Sequence, residues 1–230
     1  MKIAGIIKSS LIDYPGKAST VIFLGGCNFR CGYCHNPEFL HMQQDKPEDG
    51  IDPRELMFFL RKRKRFLDGV CISGGEPTLS KELPQLVAEI KGLGMSVKLD
   101  TNGTNPDMLR GLIEKDLVDY VAMDIKGPAD KYQWIVRNPV NLDDIRESVR
   151  ILADAFRDKG FPFEFRTTVC RELLSVNDLE RMIAEFPGAP SWYLQRFHNP
   201  GKILDNNIEY SAYSLAEMED MGKRLCVSVR

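Results

Sequence analysis

A chain of 230 residues, 43% hydrophobic and 28% charged, has the balance of a soluble globular protein and room for one large domain or two small ones. A formal net charge of -2 gives no electrostatic case for bulk nucleic-acid binding, which wants a strongly basic face. No uninterrupted apolar stretch would cross a bilayer, and Met1–Lys8 lacks the length and cleavage site of a signal peptide, so no membrane partner and a cytoplasmic location are expected.

Along the chain, short β-rich runs alternate with helical patterns. A strand at Ser19–Leu24 is followed by a helix at about Pro53–Leu67, a strand at Gly69–Ser73 by a helix at about Lys81–Leu93, and a strand at Ser96–Asp100 by a helix at about Pro106–Lys115. Tyr120–Ile125, Phe163–Val169 and Trp192–Phe197 are the later strands, followed by helices at about Leu142–Lys159, Asn177–Phe186 and Ser214–Leu225. Asp52-Pro53 and Asn105-Pro106 are N-caps with proline at the first helical position. Ser175 or Asn177 can cap the fifth helix, and Ser214 with Glu217 forms a capping box. Phe161, Phe163 and Phe165 alternate at strand period and belong in the core. Six strand–helix repeats predict right-handed crossovers and a parallel sheet. A full eight-unit barrel needs two more, so the expected fold is α/β, a partial (β/α)6 TIM-like barrel, in one domain spanning 1–230.

The chemistry concentrates after the first strand. The loop 25–36 carries Cys27, Cys31 and Cys34 in a C-x3-C-x2-C spacing. Crowded cysteines in a long chain with ample core point to a metal or to catalysis, whereas the isolated Cys71, Cys170 and Cys226 read as buried thiols acting as small hydrophobes. Thiolates suit iron–sulfur clusters and zinc. A four-iron cube held by three cysteines leaves one iron open, the logic by which catalytic metal sites keep a free position. A structural zinc site with His35 as fourth ligand is the alternative, awkward because His35 adjoins Cys34.

Other polar residues fall at the ends of the later strands: Gly74-Gly75-Glu76-Pro77, Asp100-Thr101-Asn102-Gly103, Asp124-Ile125-Lys126, then Arg166 and His198. The C-terminal strand ends of an α/β barrel face its active site. Each has an ordinary explanation as well. Gly74-Gly75 and Asn102-Gly103 suit tight turns, Asp124 and Lys126 a plain ion pair, Arg166 a salt bridge, and His198 a structural hydrogen bond. Those explanations leave their common edge unaccounted for. Arg61–Arg65 is a run of five cations near the end of the first helix, a solvated helix face or a docking site for an acidic partner.

These motifs together resemble the radical S-adenosylmethionine (SAM) superfamily. Cys27, Cys31 and Cys34 match its defining motif and Gly74–Pro77 its usual second one. Asp13-Tyr14-Pro15-Gly16, Cys34-His35-Asn36-Pro37, Asp100–Gly103 and Asp124–Lys126 resemble the activases of glycyl radical enzymes. Ser9–Lys17 most resembles anaerobic ribonucleoside-triphosphate reductase activating proteins.

The resemblance implies one [4Fe-4S] cluster on Cys27, Cys31 and Cys34, chelating SAM through its open iron. It implies reductive cleavage of SAM to a 5′-deoxyadenosyl radical, which generates a glycyl radical on a partner enzyme, with anaerobic ribonucleotide reductase as the partner. Gly74, Gly75 and Glu76 would meet the methionine amino group, and Asp100, Lys126 and His198 methionine or ribose. Tyr33 would lie near adenine, with Asn102 and Arg166 further cofactor-binding candidates. Asp100, Thr101 and Asp124 resemble a monovalent-cation site, and Asp13 resembles a residue engaging the partner's glycine loop. A flavodoxin- or ferredoxin-type protein would supply the electron. Many related activases carry a cysteine-rich insertion for extra clusters. Here Cys71 is the sole cysteine between Cys34 and Gly74. Two other readings stand beside this one: a small-molecule radical SAM enzyme such as a 7-carboxy-7-deazaguanine synthase-like protein, and a non-catalytic zinc module.

Overall fold

The computed structural model describes residues 3–40, 50–199, 201–205 and 207–230. Strands β1 (Ile3–Ser10) and β2 (Ser19–Leu24) form an antiparallel pair. Short α1 (Pro37–Leu40) and α2 (Pro53–Arg63) lead to β3 (Gly69–Gly74), then a 3-10 turn (Pro77–Leu79) and α3 (Leu83–Lys91). β4 (Ser96–Thr101), α4 (Pro106–Glu114), β5 (Tyr120–Asp124), α5 (Ala129–Val136) and α6 (Leu142–Lys159) follow. The chain continues through β6 (Phe163–Val169), α7 (Val176–Glu185), β7 (Trp192–Arg196), α8 (Leu215–Leu225) and β8 (Ser228–Val229). Hydrogen-bonded strand neighbours follow chain order, β1 to β8. This is the α/β strand–helix alternation of a partial (β/α)6 barrel, as expected, with β1 and β8 added beyond the six predicted strands.

The chain divides into two compact units, the first comprising Met1–Asn28, Glu38–Thr101 and Asn105–Val121, the second Phe29–Pro37, Asn102–Thr104 and Ala122–Arg230. In the first unit β2, β3 and β4 run parallel, with Ser19 opposite Gly69, Leu24 opposite Gly74, and Cys71 opposite Lys98. In the second, β6, β7 and β8 run parallel, with Phe165 opposite Trp192. Its core includes Phe163, Phe165 and Trp192, whose rings meet edge to face at 5.4 and 5.3 Å. Phe161 is buried with them.

The helices start where the sequence says they should. Asp52 accepts a bond from the Arg54 N–H, and Asn105 one from the Met108 N–H. Ser175, not Asn177, caps α7 through a box with Asp178, and Ser214 with Glu217 does the same for α8. α2 stops at Arg63 instead of reaching Leu67, because a turn with Phe66 N–H on the Arg63 carbonyl redirects the chain into β3. α5 was not predicted; it buries only Tyr132, Ile135 and Val136, one turn's worth of pattern.

None of the six cysteines is in a disulfide. Cys71 and Cys170 are buried as expected, but Cys226 is exposed, a correction to its reading as a core residue. It closes α8 in the left-handed conformation at φ 55°, which carries it out of the helix's buried stripe. Among the described residues no helix is long and apolar enough to cross a membrane.

One buried charge in the second unit has a specific partner. Glu164 is 1% exposed and takes a two-pronged bond from Arg230, both contacts at 3.0 Å. Arg230→Met should therefore remove the two-pronged partner of a buried carboxylate and cost about 3 kcal/mol, toward the low end for a broken buried pair because Arg230 is partly exposed. Arg157→Met removes only surface pairs with Asp154 and Asp158 and should leave the thermal midpoint where it was. Equal midpoints for the two variants would contradict this assignment.

Candidate active site around the cysteine loop

In the first unit the end of β2 is braced by the end of β3. The Gly75 N–H donates to the Leu24 carbonyl at 2.9 Å and the Glu76 N–H to the Gly26 carbonyl at 2.8 Å, immediately before Cys27. The approach leaves no room for side chains. A Cβ on Gly75 would sit 2.0 Å from the Gly26 oxygen and 3.3 Å from the Cys27 Cβ. Gly74 has φ +118°, and a Cβ there would lie 2.4 Å from Leu24 backbone atoms. The glycine pair is thus more than an ordinary turn.

Glu76 is 1% exposed. One of its carboxylate oxygens accepts from the Thr78 N–H at 3.0 Å, the Thr78 hydroxyl at 2.6 Å and the Thr101 hydroxyl at 2.8 Å, tying the ends of β3 and β4 together. On β4 the Lys98 ammonium donates to Asp100 and lies 3.7 Å from the Cys71 sulfur.

Asp13 stands elsewhere. It accepts from the Ser10 hydroxyl in the β1–β2 turn, where Ser10 pairs with Ser19. That is the opposite end of β2 from Cys27, about 17 Å away along a six-residue strand. Arg61–Arg65 are exposed at the end of α2, and Lys62 lies 4.2 Å over the Phe58 ring.

In the second unit the loop bearing Cys31 and Cys34 turns tightly, with the Cys34 N–H on the Cys31 carbonyl at 3.0 Å. Three side chains clamp it. Arg137 donates to Asp205 at 2.6 Å and to the Tyr210 hydroxyl at 2.9 Å. The Asp205 N–H returns to the Gly32 carbonyl at 2.9 Å. A Cβ on Gly32 would meet the Tyr210 oxygen at 2.1 Å, so the motif's glycine is fixed by this clamp. Tyr33 is buried, its ring edge-on to Tyr210 at 6.2 Å.

Asp124, Lys126 and Arg166 form one ionic cluster. Arg166 donates to Asp124 at 2.8 Å, and Lys126 donates to the same carboxylate at 3.1 Å. Burial pulls the Asp124 carboxyl up, but Arg166 and then Lys126 outweigh it and hold it at about 2. Burial pulls Lys126 down; Asp124, Tyr33 and Cys31 outweigh that and keep it a cation. Burial pushes the Cys31 thiol up, opposed by Lys126. Asn102 accepts from the Thr104 N–H at 3.0 Å and the Thr104 hydroxyl at 2.7 Å, a side-chain-built turn. Gly103 at φ +77° completes it. His198 is exposed just beyond β7, with His35 as a neighbour; burial first, and the His198 and Lys126 charges with it, lower the His35 imidazole.

The donor chemistry fits an iron–sulfur cluster. None of Cys27, Cys31 and Cys34 is in a disulfide, and a buried thiol such as Cys31 is deprotonated only by a ligand that brings positive charge, as iron does. Among the described residues no three His, Cys, Asp or Glu side chains group closely enough to hold a single metal ion. A cube spreads its thiolates over several irons and has no need of such a group.

Sequence reasoning missed Lys98, Arg137, Asp205 and Tyr210. Lys98 carried a readable signal, a lysine two residues before Asp100 on one strand face. The clamp carried none, because its members are far apart in sequence.

Gly75→Ala should destabilise the fold by at least about 3 kcal/mol, since the clash is with backbone. Gly111→Ala in α4, where a Cβ meets nothing within 4 Å, should stabilise by roughly 0.5–1 kcal/mol. Urea titration of both variants checks the pair; a mild Gly75→Ala would show that the β2–β3 contact is loose.

Residues 21–170 match the radical SAM superfamily. The chain is 35% identical to a Methanocaldococcus jannaschii protein named as a glycyl-radical enzyme activating enzyme, over 96% of this chain and 90% of that one. It is 34% identical to the pyruvate formate-lyase-activating enzyme of Clostridium pasteurianum over 54% of this chain, which spans 52% of that protein. Among solved structures it resembles a radical SAM methyltransferase from Sphaerobacter thermophilus, with a TM-score of 0.67 at 15% identity, over 94% of this chain and 66% of the other. That last likeness is one of fold. With the three-cysteine loop at the end of its first parallel strand and a family match across most of its length, this chain belongs to the radical SAM superfamily and is a radical SAM enzyme.

Proposed function

We propose that this protein is a glycyl-radical-enzyme activase acting, as one radical SAM domain over 1–230, in the cytoplasm. The observation that carries this is its similarity, over 96% of its length, to a protein named for that activity. The proposed partner is a glycyl radical enzyme, anaerobic ribonucleoside-triphosphate reductase in particular; the Ser9–Lys17 motif supports that choice. A flavodoxin- or ferredoxin-type protein is the proposed electron donor.

Cys27, Cys31 and Cys34 would hold a single [4Fe-4S] cluster. When bound and reduced, that cluster supplies one electron to SAM, breaking its sulfur–C5′ bond to give methionine and a 5′-deoxyadenosyl radical, which takes hydrogen from a glycine Cα. The chain's own residues bind and orient. Gly74 and Gly75 leave backbone open beside the cysteine loop, and Glu76 holds that backbone in place through Thr78 and Thr101. Asp100, Lys126 and His198 are the proposed contacts to methionine and ribose, and Tyr33, Asn102 and Arg166 are further proposed cofactor-binding residues. A monovalent cation at Asp100, Thr101 and Asp124 would share its carboxylates with Lys98, Lys126 and Arg166. Asp13, at the far end of β2, would serve as a contact to the partner protein.

Anaerobic reconstitution should bring iron and sulfide each to about four per chain, the content of one cube. Cys27→Ala should lose the cluster and Cys226→Ala should keep it. Mixed with dithionite, SAM and the reductase, the protein should produce a glycyl doublet in the electron paramagnetic resonance spectrum, absent when the reductase's radical-site glycine is changed to alanine. SAM cleavage with no radical on any glycyl radical enzyme would sink the activase reading.

A further inference from the structure

The Lys98 side chain is 2% exposed, among the largest fully buried side chains of the protein. It stands in the middle of β4 between Val97 and Leu99, both fully buried. Strand alternation places Lys98 and Asp100 on one face of β4, with Cys71 of β3 directly opposite Lys98. The ammonium donates to the Asp100 carboxylate, and the Cys71 sulfur at 3.7 Å is its other contact. A core strand position normally takes an apolar residue, because the desolvation cost of burying an ammonium is offset only when a carboxylate meets it. Here the pair is graded in depth: Lys98 is sealed, while the Asp100 side chain, 14% exposed, is the end nearer the strand terminus. The cation is therefore out of reach of any ligand, and the anion is not.

We propose that Lys98 is a positioning residue for the cofactor site, a fixed buried partner that holds the Asp100 carboxylate aimed at SAM. This rests on the reading of Asp100 as a SAM contact. The Lys98 stem reaches about one two-residue strand repeat toward the C-terminal end of β4, the end where the Thr101 hydroxyl meets Glu76. Asp100 is thereby held from below by Lys98, while its neighbour Thr101 is held by Glu76. Preorganised in this way, the carboxylate has no rotamer left to lose when SAM arrives.

The test is a double-mutant cycle on the full-length, anaerobically reconstituted protein, with SAM affinity read by calorimetry and the cluster by its visible absorbance. Lys98→Met should weaken SAM binding at least tenfold with the cluster retained. Asp100→Asn should weaken binding to a similar extent, and Lys98→Met/Asp100→Asn should bind no worse than Asp100→Asn alone, because Lys98 acts only through Asp100. The double variant, a neutral pair, also keeps the cycle readable if Lys98→Met alone folds poorly. Wild-type affinity in Lys98→Met with a weakened Asp100→Asn overturns the positioning role and leaves the Asp100 contact standing. A further loss in the double variant overturns it as well. Wild-type affinity in Asp100→Asn overturns the reading of Asp100 as a contact, and the role of Lys98 with it.

Discussion

Two backbone hydrogen bonds, from the Gly75 N–H to Leu24 and from the Glu76 N–H to Gly26, bring the end of β3 against the loop that leads into Cys27. Contact this close is possible only without side chains at Gly74 and Gly75, whose Cβ atoms would overlap the backbone opposite. Glu76 then finishes the joint, because its buried carboxylate cannot stay unpaired and finds Thr78 and Thr101. A sequence motif that reads as a tight turn is in fact a brace. Under the proposed function its tightness would matter, because a three-ligand cluster loop has one tether fewer than a fully ligated one and must be held by its surroundings.

The second unit holds its part of the loop differently. Gly32 fits under Arg137 and Tyr210, and the Asp205 N–H bonds the Gly32 carbonyl. The clamp is made of side chains with their own ion pair, whereas the β2–β3 brace is made of backbone. Beside it, Asp124 is paired with two cations, Arg166 and Lys126. A carboxylate held at about 2 contributes stability that is complete above its ordinary value near 4 and is lost only as the pH falls toward 2. The cluster therefore presents fixed charge across the working range.

Much of this was legible in advance. The six parallel strands fall within two residues of their predicted bounds, since buried parallel strands write near-continuous apolar runs bounded by turn signals. β1 was missed because it is an antiparallel edge strand whose pattern is only partly buried. β8 has two residues and exists through its pairing with β7 alone. α5 offers a single apolar turn, Tyr132, Ile135 and Val136, too brief to register as a period. Cys27, Cys31, Cys34, Gly74 and Gly75 were readable because local spacing carries their chemistry. The distance of Asp13 from the cysteine loop was not, because it depends on the register of the β1–β2 hairpin. Lys98 lay between these cases: its place two residues before Asp100 on one strand face was a signal that went unread, and its burial left none.

The central claim is that three thiolates hold a cube with one iron left open for SAM. Electron paramagnetic resonance of the dithionite-reduced protein, recorded before and after SAM is added, tests it most directly. The account predicts a cluster signal whose g-values shift on adding SAM, with Cys226→Ala behaving as wild type. A signal unchanged by SAM at saturating concentration would mean that every iron is already ligated by the protein, and would contradict it.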